Sequence, residues 1–176
     1  MSTPRQRSQA RDDLDRLVAR GALRLRPLSP PRHPQEVADV FRTAVAYRDH
    51  AVRERREQVF PAAPFGHLYT ACIDAVNALV QAYGYRSAGE GGHEQVLLAA
   101  AALLKVLGGQ GVESVVALRN EVRDLRHVAT YERASSIGWE EVDMLLRTAD
   151  PLLQAVRGEL LAALHLAPGD LPAISP

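Results

Sequence analysis

The sequence predicts an all-α protein: an up-and-down helical bundle with short loops and an N-terminal helical extension. Apolar residues recur at helical spacing through several long stretches, and no segment shows a convincing period-two alternation. Pro and Gly clusters interrupt those stretches at short intervals, so successive helices should be antiparallel neighbours. The chain has 176 residues, 47% hydrophobic and 24% charged, which suits one core plus an extension.

Met1 to about Ala10 is polar and is expected to fray. Asp12 to Arg20 reads as a short helix with Leu14, Leu17 and Val18 on one face, stopped by Gly21. ALRLRPLSPPRHP follows as an extended, proline-rich linker strapped down by Leu23, Leu25 and Leu28. A long helix begins near Pro34, with Val37, Val40, Phe41, Ala44 and Ala51 in helical register. Its charged run Arg53–Glu57 reads as a solvated end, and Pro61 and Pro64 break the chain.

The next helix covers about Phe65 to Tyr83, with the stripe Leu68, Cys72, Ala75, Val76, Leu79 and Val80. Gly84 to Gly92 turns. His93 to Leu107 is apolar around most of its circumference, as a central bundle member would be. Gly108 to Gly111 turns again. Val112 to Arg133 follows, with Leu118, Val122, Leu125 and Ala129 on one face. After ASSIG, a last helical stretch carries Val142, Leu145, Leu146 and Ala149. Asp150-Pro151 should kink or restart it, with Asp150 as cap, and Leu152, Leu153, Val156, Leu160 and Leu164 continue the core side. The division expected is 1–63 as helical extension and linker, 64–166 as the bundle, and 167–176 as a tail.

Lys+Arg equals Asp+Glu at 21 each, so any attraction to nucleic acid must be local. Lys105 is the only lysine. Arginine suits phosphates and carboxylates because its planar fork binds them bidentately. Cys72 stands alone, which excludes a disulfide framework and reads as a small core residue. The opening residues carry no apolar run, and Val96–Leu107 is too short and interrupted to span a bilayer, so a cytoplasmic location is expected.

The segment LRNEVRDLRHVATYER, Leu118 to Arg133, carries the chemistry. At about 100° per residue, Arg119, Arg123 and Arg126 fall together, with His127 beside them and Glu121, Asp124 and Glu132 on the far side. Exposed helices often mix signs through pairs four apart, so this segregation is informative. Two accounts stand: a surface that takes an anion, or a stripe neutralised by acids such as Glu140, Glu141 or Asp143 of the following helix. His67, His93 and His127, one per helix, show no metal-ligand spacing. There is no HExxH, no paired Glu-x-x-His and no phosphate loop, so no metal or cofactor is expected.

Three parts of the chain resemble the HEPN superfamily (higher eukaryotes and prokaryotes nucleotide-binding), in its small prokaryotic branch. These are HLYTACIDAVNALVQAYGYR, GGHEQV, and the arginine-rich helix followed by WEEVDMLLRTADPLLQAVRGEL, and the likeness covers roughly Pro64 to Ala163. The resemblance implies an antiparallel four-helix bundle that forms a homodimer. It also implies RNA association, as a metal-independent endoribonuclease or its degenerate relative, in a toxin–antitoxin or defence system with a nucleotidyltransferase-like antitoxin partner. The family motif is an arginine, a polar residue, and a histidine after a gap of four to six residues. Here Arg123 and His127 have three residues between them, and Arg119 and His127 have seven. Aligning the motif at Arg126-His127 puts Tyr131 where the histidine belongs. The implied catalytic residues are Arg126 and His127. Arg119, Arg123, Tyr131 and His93 are the implied phosphate- or RNA-binding residues. In the alternative reading the chain is a non-catalytic helical dimerisation or interaction module, with the arginines docked on an acidic partner.

Overall fold

Thr3 opens the first helix with a capping box: its hydroxyl accepts from the Gln6 amide at 3.2 Å, and Gln6 Oε1 accepts from the Thr3 amide at 2.8 Å. With Pro4 in the first turn, helix α1 spans Pro4–Ala19 and buries Ala10 and Leu14. The N-terminal segment is therefore helical and docked, where composition alone suggested fraying. Ser2, itself buried, donates to the buried Glu159 carboxylate. These features come from a computed structural model that describes residues 2–88, 92–122 and 137–175, the side chains of 121 and 122 excepted.

The described part is mostly helical, an all-α architecture with one small two-stranded ribbon. Helix α2 spans Pro34–Arg56, α3 Ala62–Ala82, α4 Gly92–Leu107 and α5 Val112–Ala117. A π turn follows at Leu118–Val122, and the long helix α6 spans Trp139–Ala163. Strands β1, Leu25–Pro27, and β2, Tyr85–Ser87, pair antiparallel with Arg26 opposite Arg86. This ribbon tacks the proline-rich linker onto the turn after α3; Leu23 and Leu25 are buried beneath it.

Helix α3 is the central element. It packs against α2, α4 and α6 and buries Phe65, Leu68, Cys72, Val76 and Leu79 completely. Each such Phe or Leu contributes about 1.5–3 kcal/mol relative to exposure. The broad apolar surface of α4 is met by α3 on one side and by α1 on another, so the N-terminal helix shares the main core.

Helix α6 runs unbroken through Asp150-Pro151. Asp150 caps nothing there. Its carboxylate takes a bidentate pair of hydrogen bonds, both 2.9 Å, from Arg48 of α2, which is only 4% exposed. The C-terminal segment is also tied down. Arg157 donates to the carbonyls of Pro168, Leu171 and Pro172 at 2.6, 3.2 and 2.7 Å, and Leu171 is buried.

Gly111 fixes the entry to α5. Its φ of +78° is left-handed, and a Cβ there would lie 2.9 Å from the Ala155 Cβ on α6. Only glycine lets this turn close against α6 and set the direction in which α5 and the π turn leave.

Candidate functional site

Arg119 lies in the π turn that continues α5, and both Arg119 and Asn120 are exposed. A π turn winds wider than an α-helix, so the uniform 100° wheel drawn from the sequence does not carry through Leu118–Val122. Leu118 remains fully buried and anchors the turn. Such single π turns recur at functional sites because they re-aim side chains out of helical register.

The turn meets the start of α4. The Arg119 guanidinium lies 3.5 Å from the Glu94 carboxylate, with the two side chains 43% and 36% exposed. At that distance and exposure the pair is a weak surface attraction of about 0–1 kcal/mol. His93 is exposed, and its ring stands 6.2 Å from the buried Tyr69 ring at a 51° tilt. Of the expected RNA-contacting residues, the described ones are Arg119, which meets Glu94 of α4, and His93, the residue before Glu94. Arg123, Arg126, His127 and Tyr131 lie outside the described residues.

Two of the acids expected to neutralise the arginine stripe are engaged elsewhere. Asp143 takes Arg55 bidentately at 2.8 and 3.0 Å, and this hydrogen-bonded guanidinium holds the Asp143 carboxyl below its ordinary range. Arg55 also lies 4.6 Å over the Trp139 ring. Glu141 accepts from the Gly138 amide at 2.9 Å and caps α6. The acid facing Arg119 is Glu94, which the wheel did not consider because it belongs to the preceding helix.

The run Arg53–Glu57 is not simply solvated. Arg55 is held by Asp143, and Glu54 lies beneath two histidines, with Oε2 2.7 Å from His67 Nδ1 and Oε1 3.3 Å from His50 Nε2. Sequence reading grouped His67 with His93 and His127. The fold places His50 and Glu54 beside it instead. The signal was present, since His50 and Glu54 are four apart on α2 and must share a face.

Cys72 is fully buried on α3, and burial pushes its thiol well above the ordinary range, so it serves packing and not nucleophilic chemistry. Among the described residues, no helix is long and apolar enough to cross a membrane. No family model, curated protein or solved structure matches the chain.

Proposed function

We propose that this chain is a HEPN-like RNA-associated protein, acting as a homodimer, whose phosphate-handling surface lies at the Arg119 turn and the His93 end of α4. The observation that supports this reading is the exposed guanidinium of Arg119, presented by a π turn and, among the described residues, met weakly by Glu94. In this reading α3, α4, α6 and the helix begun at Val112 form the family's four-helix bundle, and α1 and α2 are additions to it. The antitoxin partner and the defence setting belong to the same proposal.

Counted from the arginine, only Arg126 and Tyr131 keep the family's gap, and the seven residues between Arg119 and His127 exceed it. Arg119 is therefore assigned to phosphate binding, with Arg126 and His127 as the catalytic pair. In the cutting reaction a ribose 2′-hydroxyl attacks the adjacent phosphorus, the bond to the 5′-oxygen breaks, and a 2′,3′-cyclic phosphate remains. His127 takes the 2′-hydroxyl proton or returns one to the leaving 5′-oxygen, and the arginine holds charge on the phosphoryl oxygens.

The test incubates purified protein with RNA and compares Arg119→Ala, Arg126→Ala and His127→Ala. Loss of one phosphate-stabilising donor should lower the cleavage rate about 10²–10³-fold. If Arg119→Ala proves more damaging than Arg126→Ala, the assignment of Arg126 as the catalytic arginine fails. Cleavage that survives all three replacements overturns the catalytic reading. RNA binding without cleavage, weakened by Arg119→Ala, identifies a degenerate binder. The other reading, a helical interaction module, requires no RNA binding and loss of a protein partner on replacing Arg119 and Arg123.

A further inference from the structure

Helix α2 ends beside the start of α3, and the two meet at a cluster that the RNA reading does not use. His50 and Glu54 project from the same face of α2, and His67 comes from the second turn of α3. The ligand-type atoms of these three side chains all lie within 4.8 Å of one another, the one group of three or more His, Cys, Asp and Glu so placed among the described residues. We propose that His50, Glu54 and His67 bind a divalent transition-metal ion of the zinc class.

The chemistry of the set fits that class. Two imidazoles and one carboxylate offer borderline nitrogen donors with one hard oxygen, which suits zinc better than magnesium or calcium. The spacing fits as well. Zinc bonds to nitrogen and oxygen are about 2.0–2.2 Å, so ligand atoms at tetrahedral corners sit about 3.3–3.5 Å apart. His50 Nε2 and Glu54 Oε1 are 3.3 Å apart, already at that spacing. His67 Nδ1 lies 2.7 Å from the other carboxylate oxygen, Oε2, so a turn of the Glu54 carboxylate with a small shift of the imidazole lets one oxygen serve the site, the three ligand atoms lying within 4.8 Å of one another.

The surroundings hold the ligands in place. Glu54 is nearly covered, its side chain 15% exposed, so its carboxylate is not a free surface acid. The His67 ring is steadied by Tyr47, stacked at 5.8 Å and 21°, and by the edge of His50 at 4.8 Å. His50 is half exposed, which gives an ion a route in from solvent. Three protein ligands leave one coordination position for water or an anionic oxygen. Because the cluster bridges two helices, a bound ion also clips α2 to α3.

This inference stands independently of the RNA proposal, because no residue is shared between them. The experiment titrates zinc into the full-length protein, following heat by calorimetry, stoichiometry by native mass spectrometry, and Tm. One ion per chain is expected, with Tm rising about 5–10 °C at a hundredfold excess over Kd. His50→Gln and His67→Gln should each weaken binding at least tenfold, while His33→Gln with His165→Gln should leave it unchanged. His50→Gln is the decisive variant because that side chain is half solvated and its replacement spares the core; its circular dichroism verifies the fold. Cobalt in place of zinc should give the visible bands of a four-coordinate site, lost in the same two variants. The absence of saturable binding at millimolar zinc overturns the proposal. Binding that persists undiminished in both His50→Gln and His67→Gln overturns it equally.

Discussion

Replacing Asp150 by alanine isolates the interaction that joins α2 to α6. Arg48 is 4% exposed, and its guanidinium is satisfied by two bonds to Asp150 at 2.9 Å and one to Asp49 at 3.1 Å. Removing one partner of a buried ion pair costs about 3–5 kcal/mol, because the remaining charge stays desolvated. Asp49 still faces Arg48 after the change, and Asp150 is itself 31% exposed, so the expected loss falls below that range, to about 2–3 kcal/mol. For a chain of this length that lowers Tm by about 5–10 °C. Urea unfolding followed by circular dichroism should show a lower midpoint at unchanged slope. Arg48→Met combined with Asp150→Leu should recover most of the loss, since an apolar pair removes the stranded charge. A loss below about 0.5 kcal/mol in Asp150→Ala would refute the claim that this arginine is structurally committed.

Asp74, half-buried on α3, has its carboxyl raised above the ordinary range by desolvation. Its native form binds a proton more tightly than the unfolded chain does, so it penalises folding at neutral pH, and the penalty fades as pH falls through the raised value. Asp74→Asn should therefore raise Tm at pH 7 and have progressively less effect toward pH 4, as read by thermal melts across that range. Gly111→Ala should cost about 2–4 kcal/mol, from the left-handed backbone and the clash with Ala155. Adding Ala155→Gly should return only the steric part, measured by the same urea midpoints.

The helices were legible where burial dominates. The stripe from Leu68 to Val80 gave α3 to within a few residues, and the glycines at 108–111 gave the turn after α4. Elements held by partners distant in sequence were not. The β1–β2 ribbon is three residues long on each side and has no alternation to read; it exists because Leu25 meets Ser87 across the fold. Pro151 looked like a break because local rules penalise proline inside a helix, yet α6 passes through it with Arg48 clamped on the residue before. Thr3 and Gln6 carried a readable capping signal, three apart, which the polar composition of the first ten residues obscured. At the candidate site, the contact of Arg119 with Glu94 was not legible, because a helical wheel describes one helix and this contact joins two.

The clasp around the last part of α6 bears on how the protein can be dissected. Glu159 depends on Ser2 for its hydrogen bond, and Arg157 spends its donors on the segment beyond residue 166. Trimming to the interval 64–166 would remove the partners of Glu159 and Arg157, two residues apart, and would bare the apolar face of α4 that α1 covers. A shortened version that precipitates would therefore report on severed anchors, and biochemical work on this molecule belongs with its flanking pieces attached.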